Sequence, residues 1–246
     1  MKQPKRLTKA ELKERIIRFY SRYGEEVEQI KTLLEIKLKQ ICLAYTLENK
    51  LPTEALTVNS RKKTLKSLMN KFEIKKWPQF YFPTEIITDL VGARITCWFL
   101  DDVDGLLQYI KKTNLLEVDE KSIEDYVHNP KTSGYRGMHL LTKVTYDSVQ
   151  RENKGNISLV PEKMICEVQI RTKLQNAWGD ITHEFYSKEK NMVVVNANYE
   201  KFISDISNRL MQEDMMLMKF RDIYQKLADE KLKLKKGIGF KDGSKY

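Results

Sequence analysis

Residues 164–172, MICEVQIRT, alternate between two kinds of side chain with a period of two. In an extended chain Cys166, Val168 and Ile170 share one face, and Glu167, Gln169 and Arg171 share the other. The apolar face must be covered, so this strand belongs to a sheet that packs on something else. Its acid–amide–base face is either a solvated edge or the floor of a site. VGARITCWFL (91–100) and GMHLLTKVTY (137–146), rich in β-branched and aromatic residues, read as two further strands. DDVDGLLQYIKK, with acids in its first turn, and KLQNAWGDITHEFYSK (173–188) read as helices. Strand, helix, strands and helix in this order predict an α/β (α+β) fold, a mixed central sheet flanked by helices.

Helical periodicity dominates both flanks. Thr8 and Glu11 have capping-box spacing, and apolar residues recur at helical intervals over 8–48. Gly24 is expected to divide this run into two helices, and Leu51 and Pro52 to end it. From Tyr199 to Lys236 a helix or helix pair is expected, with Phe202, Ile203, Ile206, Leu210, Leu217, Phe220, Tyr224 and Leu227 as its apolar stripe. The resulting division is a helical region at 1–52, a central α/β domain at 53–190, a second helical region at 191–236 and a flexible tail at 237–246. Met215, Met216, Leu217, Met218 and Phe220 exceed what one stripe needs, which predicts either a homo-oligomer formed through this region or packing of these residues on the protein's own sheet.

The three cysteines show no CxxC spacing, which argues against a disulfide framework or a zinc finger. The charged N-terminus and the lack of a long apolar run predict a cytoplasmic protein with no membrane partner. A formal net charge of +10 points to polyanionic partners.

The densest basic segment is SRKKTLKSLMNKFEIKK (60–76), with seven basic residues against one acidic. It is either a solvated helix face or a phosphate site in which Arg61, Lys63, Ser67 and Lys71 converge on one anion, anchored by Trp77, Phe80, Tyr81 and Phe82. Asp89 stands at the entrance of the strand at 91–100, with Arg94 five residues on. NPKTSGYRGMHL (129–140) is a glycine-containing loop entering a strand. It is either a surface turn or a place where Lys131, Tyr135 and His139 set cations and a flat ring beside a purine. No GxxxxGK or GxGxxG pattern occurs, so nucleotide use requires another scaffold.

In this order SRKKTLKSLMNKF, DLVGARI, NPKTSGYRGMHL and EVQIRTKLQNAWGDITHEFYSK resemble the synthetase domain of RelA/SpoT-type alarmone synthetases, above all the small stand-alone ones. The resemblance spans about residues 57–190. It implies a nucleotidyltransferase-like fold and a magnesium-dependent transfer of pyrophosphate from ATP to the 3′-hydroxyl of GDP or GTP, giving (p)ppGpp and AMP. It implies that Asp89 and Glu167 hold Mg2+, with Glu167 also the base. Arg61, Lys63 and Lys71 would bind ATP. Tyr135 would stack on the acceptor's guanine, and Lys131 and His139 would reach its phosphates. Arg94, Gln169, Arg171 and His183 would brace the site.

Two positions depart from the family's usual pattern, Gly179 for Ala after the tryptophan and Thr182 for Glu before the histidine. Both bear on the acceptor side. Alternative acceptors are the 3′ end of tRNA, as in toxin-like relatives, or an adenine nucleotide. A catalytically inactive RNA-binding module is the alternative of another class. The two acids Asp89 and Glu167 count against it, because binding phosphates alone does not call for them.

Overall fold

The computed structural model describes residues 6–151, 156–187 and 197–238. Helix α1 (Lys9–Glu48) starts at the expected reciprocal cap. The Glu11 amide donates to Thr8 Oγ1 at 3.3 Å, and the Thr8 amide donates to Glu11 Oε2 at 2.7 Å. It continues as one helix of 40 residues, not the expected two. A mid-helix glycine costs about 1 kcal/mol relative to alanine. The buried stripe of Leu12, Ile16, Phe19, Val27, Ile30, Leu34 and Leu38 passes straight through Gly24. Burying even one such side chain contributes about 1.5–3 kcal/mol, so packing decides.

The sheet has five strands, β1 (Leu56–Lys62), β2 (Val91–Cys97), β3 (Glu117–Asp125), β4 (Met138–Arg151) and β5 (Ile157–Thr172), in the order β1-β2-β5-β4-β3. β2 and β5 run parallel and the other neighbours antiparallel, which makes the sheet mixed as expected. All three expected strands are present. The two unexpected ones, β1 and β3, are the sheet's edges. The pairing of β4 with β5 also extends beyond the expected limits, out to Arg151 and Ile157.

Two of the remaining helices are α2 (Leu65–Ile74) and α3 (Asp101–Lys112). Val91, Ile95, Leu140, Cys166, Val168 and Ile170 pack with α1 and α3 into one core. Phe72 on α2 joins it, stacked on Trp77 at 5.6 Å and close to Phe80 at 4.7 Å, so Trp77 and Phe80 anchor the basic segment, whereas Tyr81 and Phe82 are exposed. The opposite face of the sheet is polar. α4 (Lys173–Thr182) stands at its end and runs into a π-helical turn at His183–Ser187.

The last helix, α5 (Ala197–Ile238), is single and includes the first two residues of the expected tail. Residues 188–196 and 239–246 of the expected division lie outside the described residues. The apolar stripe expected on α5 does not pack on the protein's own sheet. Phe202, Ile206, Leu217, Phe220, Tyr224 and Leu227 are exposed, and of the stripe only Ile203 is fully buried. The docked face combines Ile203 and the half-buried Leu210, Met211, Met215 and Met218 with two buried polar residues. Ser207 Oγ donates to the Gly134 carbonyl, and Thr172 Oγ1 donates to Asp214 Oδ2 at 2.7 Å. Gly134 is required at this contact. Its φ is +81°, and a Cβ there would stand 2.7 Å from Ser204 Cα. Among the described residues no helix is long and apolar enough to cross a membrane.

Burial pushes the Asp214 carboxyl up to about 6, against the opposing effects of its Thr172 hydrogen bond and the Arg136 charge. A carboxyl raised in the folded state binds a proton more tightly there than in the unfolded chain, so stability falls as pH rises from about 4 through about 6. Asp214→Asn removes that loss while keeping an acceptor for Thr172. In thermal melts its stability should exceed the parent's at pH 8, and the gap should shrink as pH falls below about 6 and close near pH 4. A gap independent of pH would contradict this linkage.

Candidate active site

The polar face of the sheet is assembled by register. Arg94 on β2 lies beside Gln169 on β5, which lies beside His139 on β4. One row along, Arg61 on β1 pairs with Gly92, and Gly92 with Glu167. Paired residues project to the same side, so Arg61, Arg94, His139, Glu167, Gln169 and Arg171 share one surface. The polar face of β5 is therefore the floor of a site and not a solvated edge.

Two adjoining clefts open on this surface. One, of about 310 Å³, is bordered by Arg61, Gly92, Arg94, Glu167 and Gln169. The other, of about 620 Å³, is bordered by Lys131, Tyr135, His139, Arg171 and Trp178, with His183 exposed at its lip. Arg61, Arg94, Gln169 and Asp180 belong to both. Arg94 is held by Asn176 at 2.7 Å and Asp180 at 2.8 Å, which ties β2 to α4. Gly179 and Thr182, the two departures from the family pattern, both border the larger cleft. A third cavity, of about 580 Å³, lies between α1 and the β4–β5 ribbon and contains none of the candidate residues.

Asp89, just ahead of β2, is bracketed by two of the expected phosphate-binding lysines. Lys63 Nζ lies 2.9 Å from Oδ2 and Lys71 Nζ 2.8 Å from Oδ1. Burial raises this carboxyl, but the hydrogen bonds from Lys71 and Lys63 outweigh it and leave the pKa below the ordinary carboxylate value. Tyr20 on α1 donates to the Lys63 carbonyl, and burial, with the Asp89 charge, pushes its phenol up to about 12. Ser67 stands apart. It is exposed on the first turn of α2, its amide capped by Thr64 Oγ1 at 3.2 Å, away from the Asp89 ion pairs; like Asp89, Lys63 and Lys71 it borders neither cleft.

Glu167, Gln169, Arg171, Tyr135 and His139 close a hydrogen-bond circuit. Arg171 Nη2 donates to the Tyr135 hydroxyl and, at 2.7 Å, to Gln169 Oε1. The Tyr135 hydroxyl bonds His139 Nε2, and His139 Nδ1 lies 3.3 Å from Glu167 Oε1. Gln169 Nε2 donates to Glu167 Oε2 at 2.8 Å. Both nitrogens of His139 are thus engaged between Tyr135 and Glu167. Burial raises the Glu167 carboxyl and the Asp89 charge adds to that, but the bonds and charge from His139 and the bond from Gln169 prevail, so its pKa is lowered. Lys131 Nζ sits 4.1 Å from the centre of the Tyr126 ring and 5.5 Å from that of Tyr135. Tyr126 was not expected here. It follows directly on β3, whose mostly polar sequence gives no strand signal, and it meets both Tyr135 and His139 edge-on.

The region found in RelA and SpoT proteins matches residues 60–192 of this chain. The chain belongs to the RelA/SpoT family. GTP pyrophosphokinase YjbM of Bacillus subtilis (strain 168) is 31% identical over 173 residues, covering 70% of this chain and 72% of that protein. The fold is that of small alarmone synthetase 1 from Bacillus subtilis. Its structure bound to its product pppGpp superposes with a TM-score of 0.65 at 24% identity, covering 85% of this chain and 99% of that one. The same protein bound to AMPCPP gives 0.57 at 22% identity, covering 85% and 96%.

Asp89→Asn would leave two half-buried lysines without their counter-charge. A carboxyl whose pKa is lowered by folding contributes stability above its unfolded pKa and loses it as pH falls. In denaturant melts without nucleotide, the variant should be about 1–3 kcal/mol less stable near neutral pH. The difference should shrink below about pH 4. A difference that grows on acidification would contradict the assignment of these ion pairs.

Proposed function

We propose that this member of the family transfers the β,γ-pyrophosphate of ATP to the 3′-hydroxyl of GDP or GTP, releasing AMP. The observation that carries this reading is Glu167, held ionised in the smaller cleft, beside the larger cleft that Tyr135 borders. Structures of a related synthetase with pppGpp and with AMPCPP support nucleotides as the ligands.

In this reading Lys63, Lys71 and Arg61 take the triphosphate, and Tyr135 meets the acceptor base with Lys131 beside it. Glu167 removes the proton from the 3′-hydroxyl as its oxygen bonds to the β-phosphorus. The bond from that phosphorus to the bridging α–β oxygen breaks, and AMP leaves with the electron pair. Phosphoryl-type transfer depends mainly on positioning and charge neutralisation, which this set of cations supplies. Mg2+ fits the donor set, because two coupled carboxylates, Asp89 and Glu167, offer the one or two acidic oxygen ligands the ion takes from a protein. When bound there it would neutralise phosphate charge in the transition state.

Steady-state kinetics test the roles. Glu167→Gln should lower kcat by at least about 100-fold, the scale of a lost general base. Tyr135→Ala should weaken the acceptor by about 1–3 kcal/mol, the scale of one base-stacking contact, with the ATP requirement little changed. Tyr135→Phe should keep acceptor affinity but lower kcat, because its hydroxyl links Arg171 to His139. If Tyr135→Ala impaired ATP and acceptor equally, the division of the two clefts would fail. Transfer to tRNA exceeding transfer to either nucleotide, with a steep salt dependence, would replace the reading with a tRNA-modifying one.

The exposed stripe of α5 supports self-association. Truncating α5 would also remove the Ser207 and Asp214 contacts, so Phe220→Asp with Tyr224→Asp is the cleaner test. Light scattering should show a smaller species, and an unchanged mass would exclude this surface.

A further inference from the structure

Lys131 is exposed on the loop before β4, at the edge of the larger cleft, and among the described residues no carboxylate pairs with it. Its backbone is fixed. The Lys131 amide donates to the Tyr135 carbonyl at 3.2 Å, and the Gly134 amide donates to the Lys131 carbonyl at 2.7 Å, which closes residues 131–135 into a turn. The side chain has no such bonds. A lysine is a point charge on a flexible four-carbon stem, rich in rotamer entropy. If its ammonium is to meet a ligand at one place, something else must hold it there.

Two aromatic faces do so. Lys131 Nζ lies over the Tyr126 ring at 4.1 Å and over the Tyr135 ring at 5.5 Å. The rings are inclined at 70° with their centres 5.9 Å apart, so the ammonium sits in the angle between them. Tyr126 is the nearer and the better anchored. Its amide donates to the Gly137 carbonyl at 3.1 Å, and its ring meets His139 at 86° with centres 5.6 Å apart. Its hydroxyl bonds Glu124, which lies across the ladder from His139. Burial, that bond and the Glu124 charge all push the phenol up, so it keeps its proton. A phenol donating to a carboxylate gains electron density in its ring, which strengthens the face toward a cation. Tyr126 borders neither cleft itself, so whatever it contributes reaches a ligand through Lys131, Tyr135 or His139.

We propose that Tyr126 is a positioning residue for acceptor recognition: its ring face holds the Lys131 ammonium beside Tyr135, where it meets the phosphates of the acceptor nucleotide. This rests on the proposed roles of Lys131 and Tyr135. The two tyrosines then divide the acceptor between them. Tyr135 takes the base, and Tyr126 acts only where there is a phosphate for Lys131 to reach. Without the Tyr126 ring the lysine keeps its charge but loses its place, and the cost of ordering its stem falls on ligand binding. Guanosine, which has a base and no phosphate, does not depend on Tyr126, whereas GDP does.

The test is a double-mutant cycle with Tyr126→Leu and Lys131→Met in the full chain, read by calorimetric binding of GDP and of guanosine, with NMR of the Lys131 side chain. Tyr126→Leu should weaken GDP about threefold to fivefold, the scale of one exposed cation–π contact, and leave guanosine unchanged. Tyr126→Phe keeps the ring face and should recover GDP affinity to within about twofold of the parent. Lys131→Met should weaken GDP at least as much as Tyr126→Leu, and the double variant should be no worse than Lys131→Met alone, because both changes break one contact. Ring currents should move the Lys131 ε-methylene protons upfield in the parent and in Tyr126→Phe, and not in Tyr126→Leu. Additive losses, an equal loss of GDP and guanosine, or unshifted Lys131 protons in the parent would overturn the proposal. An equal loss would assign Tyr126 to packing under Tyr135. If Tyr126→Leu does not fold, the Lys131 shift in the parent and in Tyr126→Phe still decides the placement. If the parent binds neither GDP nor guanosine, the reading of function fails, and the Lys131 spectra alone judge the contact.

Discussion

Strand β5 cannot turn over. Cys166, Val168 and Ile170 are fully buried against the α1 and α3 side, and a slip of one residue would exchange them for Glu167, Gln169 and Arg171. Pairing on both sides, parallel to β2 and antiparallel to β4, fixes the strand lengthwise as well. Glu167 is thereby held in the middle of a sheet, not on a mobile loop, with Arg61 beyond Gly92 on one flank and His139 one register step away on the other. Rigid placement is what pyrophosphate transfer needs from a protein, because the reaction asks for aligned phosphates and a fixed base more than for new covalent chemistry.

The site has two electrostatic halves built on different principles. Around Asp89, point-charge lysines from β1's end and from α2 converge on one carboxylate, an arrangement a polyphosphate can enter by competing for the cations. Around Glu167, the arginine is buried one side chain away and reaches the carboxylate through Gln169 on one arm and through Tyr135 and His139 on the other. Helix α5 completes the second half by clasping the loop that carries Tyr135, through Ser207 on Gly134 and Arg136 on Asn208 at 2.9 Å. A helix far from the acids in sequence therefore borders the larger cleft, through Ile203.

The central elements were legible because buried strands and capped helices carry strong periodic signals. The alternation at 164–172, the β-branched run at 91–97 and the Thr8–Glu11 cap all appear as read. β1 and β3 were not legible for a common reason: both are sheet edges, where one side lacks a partner and charge is tolerated. In β1 the alternation of Leu56 and Val58 runs into Arg61 and Lys62, and β3 is acidic along most of its length. The α5 stripe misled because the docked face is marked by Ser207 and Asp214, so hydrophobicity pointed to the exposed side. At the site, residue types at Asp89, Glu167, Lys63, Lys71 and Tyr135 could be picked from the chain, whereas the circuit could not. It depends on the register that sets His139 beside Gln169, a relation that exists only in three dimensions.

The account stands on Glu167 directing a pyrophosphate to a free guanine nucleotide. The most direct measurement follows ATP labelled in its β-phosphate with Mg2+ and, separately, GDP, GTP and bulk tRNA, resolving all labelled products. Label should appear on the 3′ position of GDP or GTP in step with AMP, with none on tRNA. Label on tRNA, or formation of ADP in place of AMP, would contradict it.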